Sequence, residues 1–136
     1  MGTRVFVQED GIIYTGVGQT RIEIASRLGR TQPNIWIPED AFQDISHEHD
    51  VYTSVSLAAS SVLQHPLGVY KGRGPPFTSF VIEGDTLREH GLLTSRSTRF
   101  VDAVVESRRS TGGRMFLRLF HLSPATRNKG DMQLWP

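Results

Sequence analysis

The amino-acid sequence predicts one α+β domain, in which an N-terminal hairpin and helices pack on a C-terminal four-stranded antiparallel meander. The chain has 136 residues, which suits one domain, and 38% of them are hydrophobic, which is enough for a core. Apolar residues recur at helical spacing in the segment before Pro66. After Pro66 they alternate with a period of two, which is typical of strands. The helical part of the domain therefore precedes most of the sheet.

The N-terminal half contains the predicted hairpin, one further strand and three helices. Asp10-Gly11 is a strong hairpin turn. Thr20 and Glu23 have the spacing of a capping box. Pro38 suits the first turn of a helix, and Asp50 can cap another. The predicted strands cover residues 3–8, 12–15 and 34–37, and the predicted helices cover residues 21–28, 38–47 and 50–63.

The C-terminal half is predicted to form the meander. Turn sequences at Gly74-Pro75-Pro76 and Thr111-Gly112-Gly113 separate alternating segments. The four predicted strands cover residues 68–72, 77–83, 99–107 and 114–122, with a single helical turn at 85–90. The domain should therefore occupy residues 1–123, and the polar residues 124–136 should form a loosely held tail.

The composition excludes several classes of protein. The chain has no cysteine, which excludes disulfide scaffolds, thiol catalysis and cysteine-based zinc sites. No apolar run reaches the roughly 18–20 residues that span a bilayer, and the N-terminus lacks the apolar run of a signal peptide. We expect a cytoplasmic protein that does not associate with membranes, or a domain that is delivered into a target cell.

Charge is distributed unevenly along the chain. Residues 1–66 carry four cations and eight anions, whereas residues 67–136 carry eleven cations and six anions, so the net charges are −4 and +5. Thirteen of the fifteen cations are arginine, whose planar guanidinium binds phosphate and stacks on bases. A basic C-terminal half indicates a polyanionic ligand such as RNA. The alternative is that the two halves pair with each other.

The last predicted strand carries the clearest candidate for an RNA-binding surface. Strand alternation places four residues on one face: Arg114, Phe116, Arg118 and Phe120. Leu117 and Leu119 lie on the opposite face, which should be buried. Arginine charge together with aromatic stacking is typical of single-stranded RNA recognition. Alternatively, the phenylalanines pack under the helices and the arginine heads extend into solvent.

Three further cations lie on neighbouring strands of the predicted meander. They are Lys71, Arg73 and Arg99. Adjacent strands bring such side chains together, so these cations are candidates for the same RNA-binding surface. A solvated charged rim is the alternative for each of them.

His49, just beyond the second predicted helix, is the candidate catalytic residue. If the helix continues to it, helical spacing puts it on one face with Phe42 and Ile45, directed toward the meander. A neutral imidazole there can act as a general base or acid, or it can be a core histidine bonded to backbone. His47 lies off that face, so the pair matches no compact metal motif and no metal site is expected. His121 has the core-side parity of its strand, but at the strand end it can turn either way.

Several short segments follow one another in an order that is known from one nuclease superfamily. The segments are Asn34-Ile35-Trp36-Ile37, Phe42-Gln43-Asp44-Ile45, His49, Leu63-Gln64-His65-Pro66 and Val69-Tyr70. In order and spacing, residues 21–122 resemble the phage-associated members of the superfamily that includes barnase, EndoU, the colicin tRNases and RelE. In that family a strand precedes a helix with an inward histidine, a second helix ends at a proline turn, and a four-stranded antiparallel meander follows.

The resemblance implies metal-independent cleavage of RNA, in which the ribose 2′-hydroxyl attacks the adjacent phosphate and leaves a cyclic phosphate. His49 would be the general base or acid. Arg118, together with Arg114 and Lys71, would stabilise the negative charge of the transition state. No cofactor is required. RNA would be the substrate of such a toxin or effector domain, and a cognate inhibitor or immunity protein would be a further partner.

The sequence departs from the family at two positions. Relatives carry a second histidine near Asp44 and a Thr or Ser near Leu117 in the last strand, and neither is present here. A catalytically inactive RNA- or protein-binding module of the same fold is therefore the main alternative to a ribonuclease. A small-molecule enzyme with His47 and His49 as metal ligands is a third hypothesis.

Overall fold

The computed structural model describes residues 5–7, 11–30, 33–72, 74, 76–125 and 133–135. Within these residues the chain forms helices and one mixed sheet, an arrangement of the α+β class that the sequence predicts. The helices are α1 (Ile22–Arg27), α2 (Glu39–Glu48), α3 (Val55–Gln64) and α4 (Gly84–Glu89). The strands are β1 (Val5–Val7), β2 (Ile13–Gln19), β3 (Asn34–Pro38), β4 (Gly68–Lys71), β5 (Phe77–Glu83), β6 (Phe100–Arg109), β7 (Met115–Ala125) and β8 (Gln133–Trp135).

The described strands form one sheet in the order β1-β2-β3-β7-β6-β5-β4-β8. The four strands predicted in the C-terminal half correspond to β4, β5, β6 and β7, and each pairs antiparallel with the next. β3 pairs parallel to β7, with Ile35 opposite Leu117 and Trp36 opposite Arg118. The N-terminal hairpin therefore extends the sheet through β3 and does not pack on it, which corrects the expected arrangement. Because β3 lies between β2 and β7, the backbone N–H and C=O groups on both of its edges have strand partners.

The end of the predicted polar tail joins the sheet. Residues 133–135 form β8, and Trp135 lies opposite Val69 of β4 and packs against the core. The guanidinium of Arg21 lies 5.4 Å from the centre of the Trp135 ring. Apolar contact of the indole explains why the end of a polar segment is held to the sheet.

The core lies between the helices and one face of the sheet. α3 contributes five buried residues: Val55, Ala58, Ala59, Val62 and Leu63. From β7, Leu117, Leu119 and Leu122 are buried in the same cluster. The alternation predicted for Leu117 and Leu119 is therefore confirmed.

The connection between α2 and α3 differs from the helix predicted to begin at Asp50. Ser54 caps α3, because its Oγ accepts a hydrogen bond from the Leu57 N–H at 3.2 Å. The backbone of residues 51–53 forms hydrogen bonds with residues 92–94 instead of continuing a helix. α2 consequently ends before a short irregular segment, and this ending determines where His49 lies.

The longest helices, α2 and α3, have ten residues each. Such a helix is about 15 Å long, half of the hydrocarbon thickness of a bilayer. Across the described ranges, no helix has the length and apolar character needed to cross a membrane.

Candidate active site

Two histidines from distant parts of the chain meet at the C-terminal end of α2. His49 directly follows α2, and His121 lies in β7. Their Nε2 atoms are 3.2 Å apart, and the ring centres are 5.2 Å apart with an interplanar angle of 60°. Two imidazole nitrogens at this distance share one hydrogen bond, so one ring donates and the other accepts. The pair therefore holds a proton donor and a proton acceptor in one contact.

A β-bulge directs His121 toward α2. In the pairing of β6 with β7, Leu119 and His121 lie opposite consecutive residues of β6, so Phe120 is an extra residue. The Phe120 ring packs against Phe77, whereas the next side chain, His121, meets His49. Bulges re-aim side chains in this way, which explains why regular alternation does not determine the direction of His121.

Glu48 completes the histidine cluster. Its Oε2 atom is 3.6 Å from His121 Nε2, and the two side chains are 58% and 27% exposed. Burial lowers the pKa of His49, and the neighbouring His121 lowers that pKa further, while the Glu48 carboxylate acts in the opposite direction. Burial and His121 therefore favour the neutral form of His49, and Glu48 lies within ion-pair distance of His121.

The histidine cluster supports two kinds of chemistry. An imidazole that accepts a proton beside one that donates a proton can serve as general base and general acid. The same three side chains can also hold a metal ion, because their ligand atoms all lie within 4.8 Å of one another. Solvent reaches the cluster through the exposed parts of Glu48 and His121.

Arg118, the predicted charge stabiliser, takes part in an ion pair. Its Nη1 atom is 3.5 Å from Glu106 Oε1, and the two side chains are 15% and 17% exposed. Arg108 Nη1 lies 3.8 Å from the same carboxylate oxygen. Glu106 therefore compensates much of the charge of Arg118. The guanidinium of Arg118 also lies 5.7 Å from the ring centre of Phe120, on the face away from the buried leucines.

The face of β7 that carries this ion pair also carries aromatic rings. Phe116 packs edge-on against Tyr14 of β2, with ring centres 5.3 Å apart. Phe120 packs edge-on against Phe77 of β5 at 5.2 Å, and 46% of Phe120 is exposed. Arg114 is exposed just before the strand begins. We term one surface the β7 face; it is formed by Arg114, just before β7, and by the β7 side chains Phe116, Arg118 and Phe120.

The other cations predicted to join this surface are placed differently. Lys71 is exposed in β4, which is three strands from β7, so the two strands are about 14 Å apart. Arg99 lines an open cavity of about 460 Å³ near the start of β6, whereas His121 pairs farther along that strand. Arg73 lies outside the described residues. The structure therefore does not bring Lys71 or Arg99 next to the histidine pair.

Sequence reasoning identifies His49 but neither Glu48 nor His121 as site residues. His47, the alternative metal ligand considered from the sequence, is exposed on α2, and Glu48 occupies the corresponding place in the cluster. A signal for His121 is present in the sequence. Buried leucines occur in β7 at positions 117, 119 and 122, and the change of period from two to three marks the bulge.

No protein-family model, curated protein or solved structure significantly matches the chain.

Proposed function

We propose that the protein is a ribonuclease that cleaves RNA without a metal ion, with His49 and His121 as its acid–base pair. The contact between these two partly exposed imidazoles, 3.2 Å apart, carries the proposal. Attack of the ribose 2′-hydroxyl on the adjacent phosphate needs a base for the hydroxyl proton and an acid for the leaving oxygen. Two imidazoles supply both groups, and the products are a 2′,3′-cyclic phosphate and a free 5′-hydroxyl.

The surroundings of the pair favour His49 as the base and His121 as the acid. His49 lies against α2 and accepts a proton in its neutral form. The Glu48 carboxylate lies 3.6 Å from His121 Nε2 and can orient that ring. A bound phosphodiester must separate the two Nε2 atoms, and the exposed side of His121 gives it room. Glu48 acts through His121 and is therefore a positioning residue.

The β7 face would hold the RNA as it approaches the histidines. Phe120 precedes His121 in the chain, so their Cα atoms are about 3.8 Å apart. A base stacked on Phe120 would place its own phosphate close to the acid–base pair. The exposed Arg114 would contact a neighbouring phosphate, whereas Arg118 is paired with Glu106. Lys71 would not join this surface, because its register through Thr78 and Val105 places it on the same face of the sheet as the buried Leu119.

The order of the elements favours the same proposal. β3, then α2 with His49 at its end, then α3, then β4 to β7 follow one another as in the barnase- and RelE-like nucleases that the sequence resembles. In this comparison His121 would take the place of the Thr or Ser that relatives carry in the last strand. His121, four residues farther along β7, would then supply the side chain that is missing near Leu117.

Cleavage of labelled single-stranded RNA in EDTA tests the proposal. We expect wild-type protein to release cyclic-phosphate products, and His49→Ala and His121→Ala to lose about 10²–10⁴-fold in rate. His47→Ala is the matched control, because this exposed histidine lies in α2 two residues before His49 but outside the pair. It should cleave RNA at the wild-type rate. Equal rates for wild type and His49→Ala would refute the assignment.

An RNA-binding module without catalysis is the second candidate, and the β7 face favours it because stacking and phosphate contacts need no histidine. Growth of expressing cells separates the two candidates. An active ribonuclease arrests the cell that makes it unless a cognate inhibitor is present. Wild-type expression should therefore stop growth and His49→Ala should restore it, whereas a binding module would give the same growth for both.

A further inference from the structure

The histidine cluster also has the composition of a transition-metal site. We propose that Glu48, His49 and His121 bind one Zn²⁺ ion and that the bound ion stops RNA cleavage. The binding part of this proposal stands on the three side chains alone. The inhibitory part rests on the proposed ribonuclease function.

The spacing of the three ligand atoms fits tetrahedral coordination. Zn–N bonds of about 2.0–2.1 Å at tetrahedral angles put neighbouring ligand atoms about 3.4 Å apart. The Nε2 atoms of His49 and His121 are 3.2 Å apart, and His121 Nε2 is 3.6 Å from Glu48 Oε2. All three atoms lie within 4.8 Å of one another. The exposed Glu48 side chain has room to rotate toward His49 and complete the set.

The types of ligand select the class of metal. Two imidazoles and one carboxylate suit Zn²⁺, whereas Mg²⁺ and Ca²⁺ prefer sets made of oxygen atoms. Three protein ligands leave the fourth tetrahedral position to water. Because Glu48 and His121 are open to solvent, the ion can reach the cluster without a rearrangement of the fold.

Metal binding and proton transfer would compete for the same atoms. A bound ion takes the lone pairs of both Nε2 atoms, so neither ring can accept the 2′-hydroxyl proton or deliver a proton to the leaving oxygen. The proton that the two rings share must leave Nε2, so that each ring coordinates through Nε2 and carries its N–H at Nδ1. The β7 face does not contribute a ligand, so RNA would still bind to the inhibited protein.

Zn²⁺ titrated into the full chain, followed by calorimetry, tests the site without any activity measurement. Wild type should bind one ion per chain. Glu48→Gln and His121→Ala should weaken binding at least about tenfold, because even loss of an outer-shell partner costs 10–100-fold. His47→Ala is the control and should bind as wild type does, and excess Mg²⁺ should not displace Zn²⁺. Absence of binding, or unchanged binding in both cluster variants, would overturn the site. Glu48→Gln alters an exposed side chain and keeps the test valid if His121→Ala does not fold.

RNA cleavage with and without Zn²⁺ tests the inhibition and separates it from the proposed function. If wild type cleaves RNA in EDTA, saturating Zn²⁺ should stop cleavage and renewed EDTA should restore it, while RNA binding persists. Full activity with Zn²⁺ bound would overturn the inhibition. Cleavage that requires Zn²⁺ would overturn both the inhibition and the metal-independent mechanism. Zn²⁺ binding without cleavage under any condition would overturn the ribonuclease proposal and support the metal site.

Discussion

Arg118 and His121 lie three residues apart in β7, yet their surroundings differ. Arg118 is held beside Glu106 with little exposure, whereas His121 contacts a second imidazole and is open to solvent. The bulge at Phe120 lies between them. Before the bulge, β7 follows regular alternation and its charge is compensated within the sheet. After the bulge, the strand presents a side chain that can exchange a proton, so position on a strand face does not by itself make a residue available for chemistry.

Deletion of Phe120 removes the bulge that separates Arg118 from His121, and it should have the largest effect on RNA cleavage. Without the extra residue, Leu119, His121 and Leu122 keep their partners on β6 in a regular strand, so the local bend that the bulge gives β7 is lost and the His121 ring is displaced from His49. We expect RNA cleavage to fall by about 10²–10⁴-fold, as for loss of an acid–base group. Circular dichroism should show the wild-type fold.

Phe120→Ala is the control for this deletion because it keeps the bulge while removing the ring. It should weaken RNA binding and leave the cleavage rate at saturating RNA close to that of wild type. Equal losses of that rate in both variants would mean that the bulge does not matter for the direction of His121.

Leu119→Ala tests the structural side of β7. Leu119 is fully buried, so its truncation should lower the free energy of unfolding by about 2–5 kcal/mol. Leu57→Ala, an exposed leucine of α3, is the control and should have a much smaller effect. Urea unfolding measures both variants, and a similar loss for the two would contradict the assignment of the core face.

Arg118→Ala should have an intermediate effect on stability. Regular alternation alone predicts that this substitution leaves stability nearly intact. The ion pair changes this expectation, because removal of Arg118 leaves the mostly buried Glu106 carboxylate with only the more exposed and more distant Arg108, at a cost of about 1–3 kcal/mol. Arg108→Ala removes an exposed cation from the same carboxylate and should cost less. Equal losses on urea unfolding would show that burial of the pair is unimportant.

Arg114→Ala should have the smallest effect. Its exposed side chain is proposed to contact one phosphate, so the substitution should lower the slope of log affinity against log salt by about 0.7 for single-stranded RNA. Stability should not change. Arg27→Ala in α1 also removes an exposed arginine and should leave the slope at the wild-type value. Fluorescence anisotropy at several salt concentrations measures both slopes, and identical slopes would remove Arg114 from the RNA-binding surface.

The fold was predictable where a periodic apolar pattern covers a whole element. The alternating segments correspond to β4, β5, β6 and β7, and the apolar stripe with Val55 and Val62 corresponds to α3. The place of the hairpin was not predictable, because it depends on pairing between β3 and β7, which are far apart in the chain. Local period contains no information about which distant strand is the neighbour, and the contact of Trp135 with the core is concealed by its polar surroundings.

Of the three residues in the candidate site, only one could be identified from the sequence. Helical spacing with Phe42 and Ile45 singles out His49 as a site residue, although α2 ends at Glu48 and the backbone of His49 itself is not helical. His121 depends on the bulge, which strict alternation ignores, and Glu48 belongs to the cluster only because α2 ends there. The ion pair of Arg118 depends on the register between β6 and β7, which the sequence does not reveal.

Single-turnover RNA cleavage in EDTA by His49→Ala, His121→Ala and the double variant tests the central claim most directly. Two groups that act as one catalytic unit are not additive, since loss of either disables the unit. We predict that each single variant is about 10²–10⁴-fold slower than wild type and that the double variant is about as slow as either one. A wild-type rate in either single variant, or a loss in the double variant equal to the product of the two single losses, would contradict the claim that His49 and His121 work together.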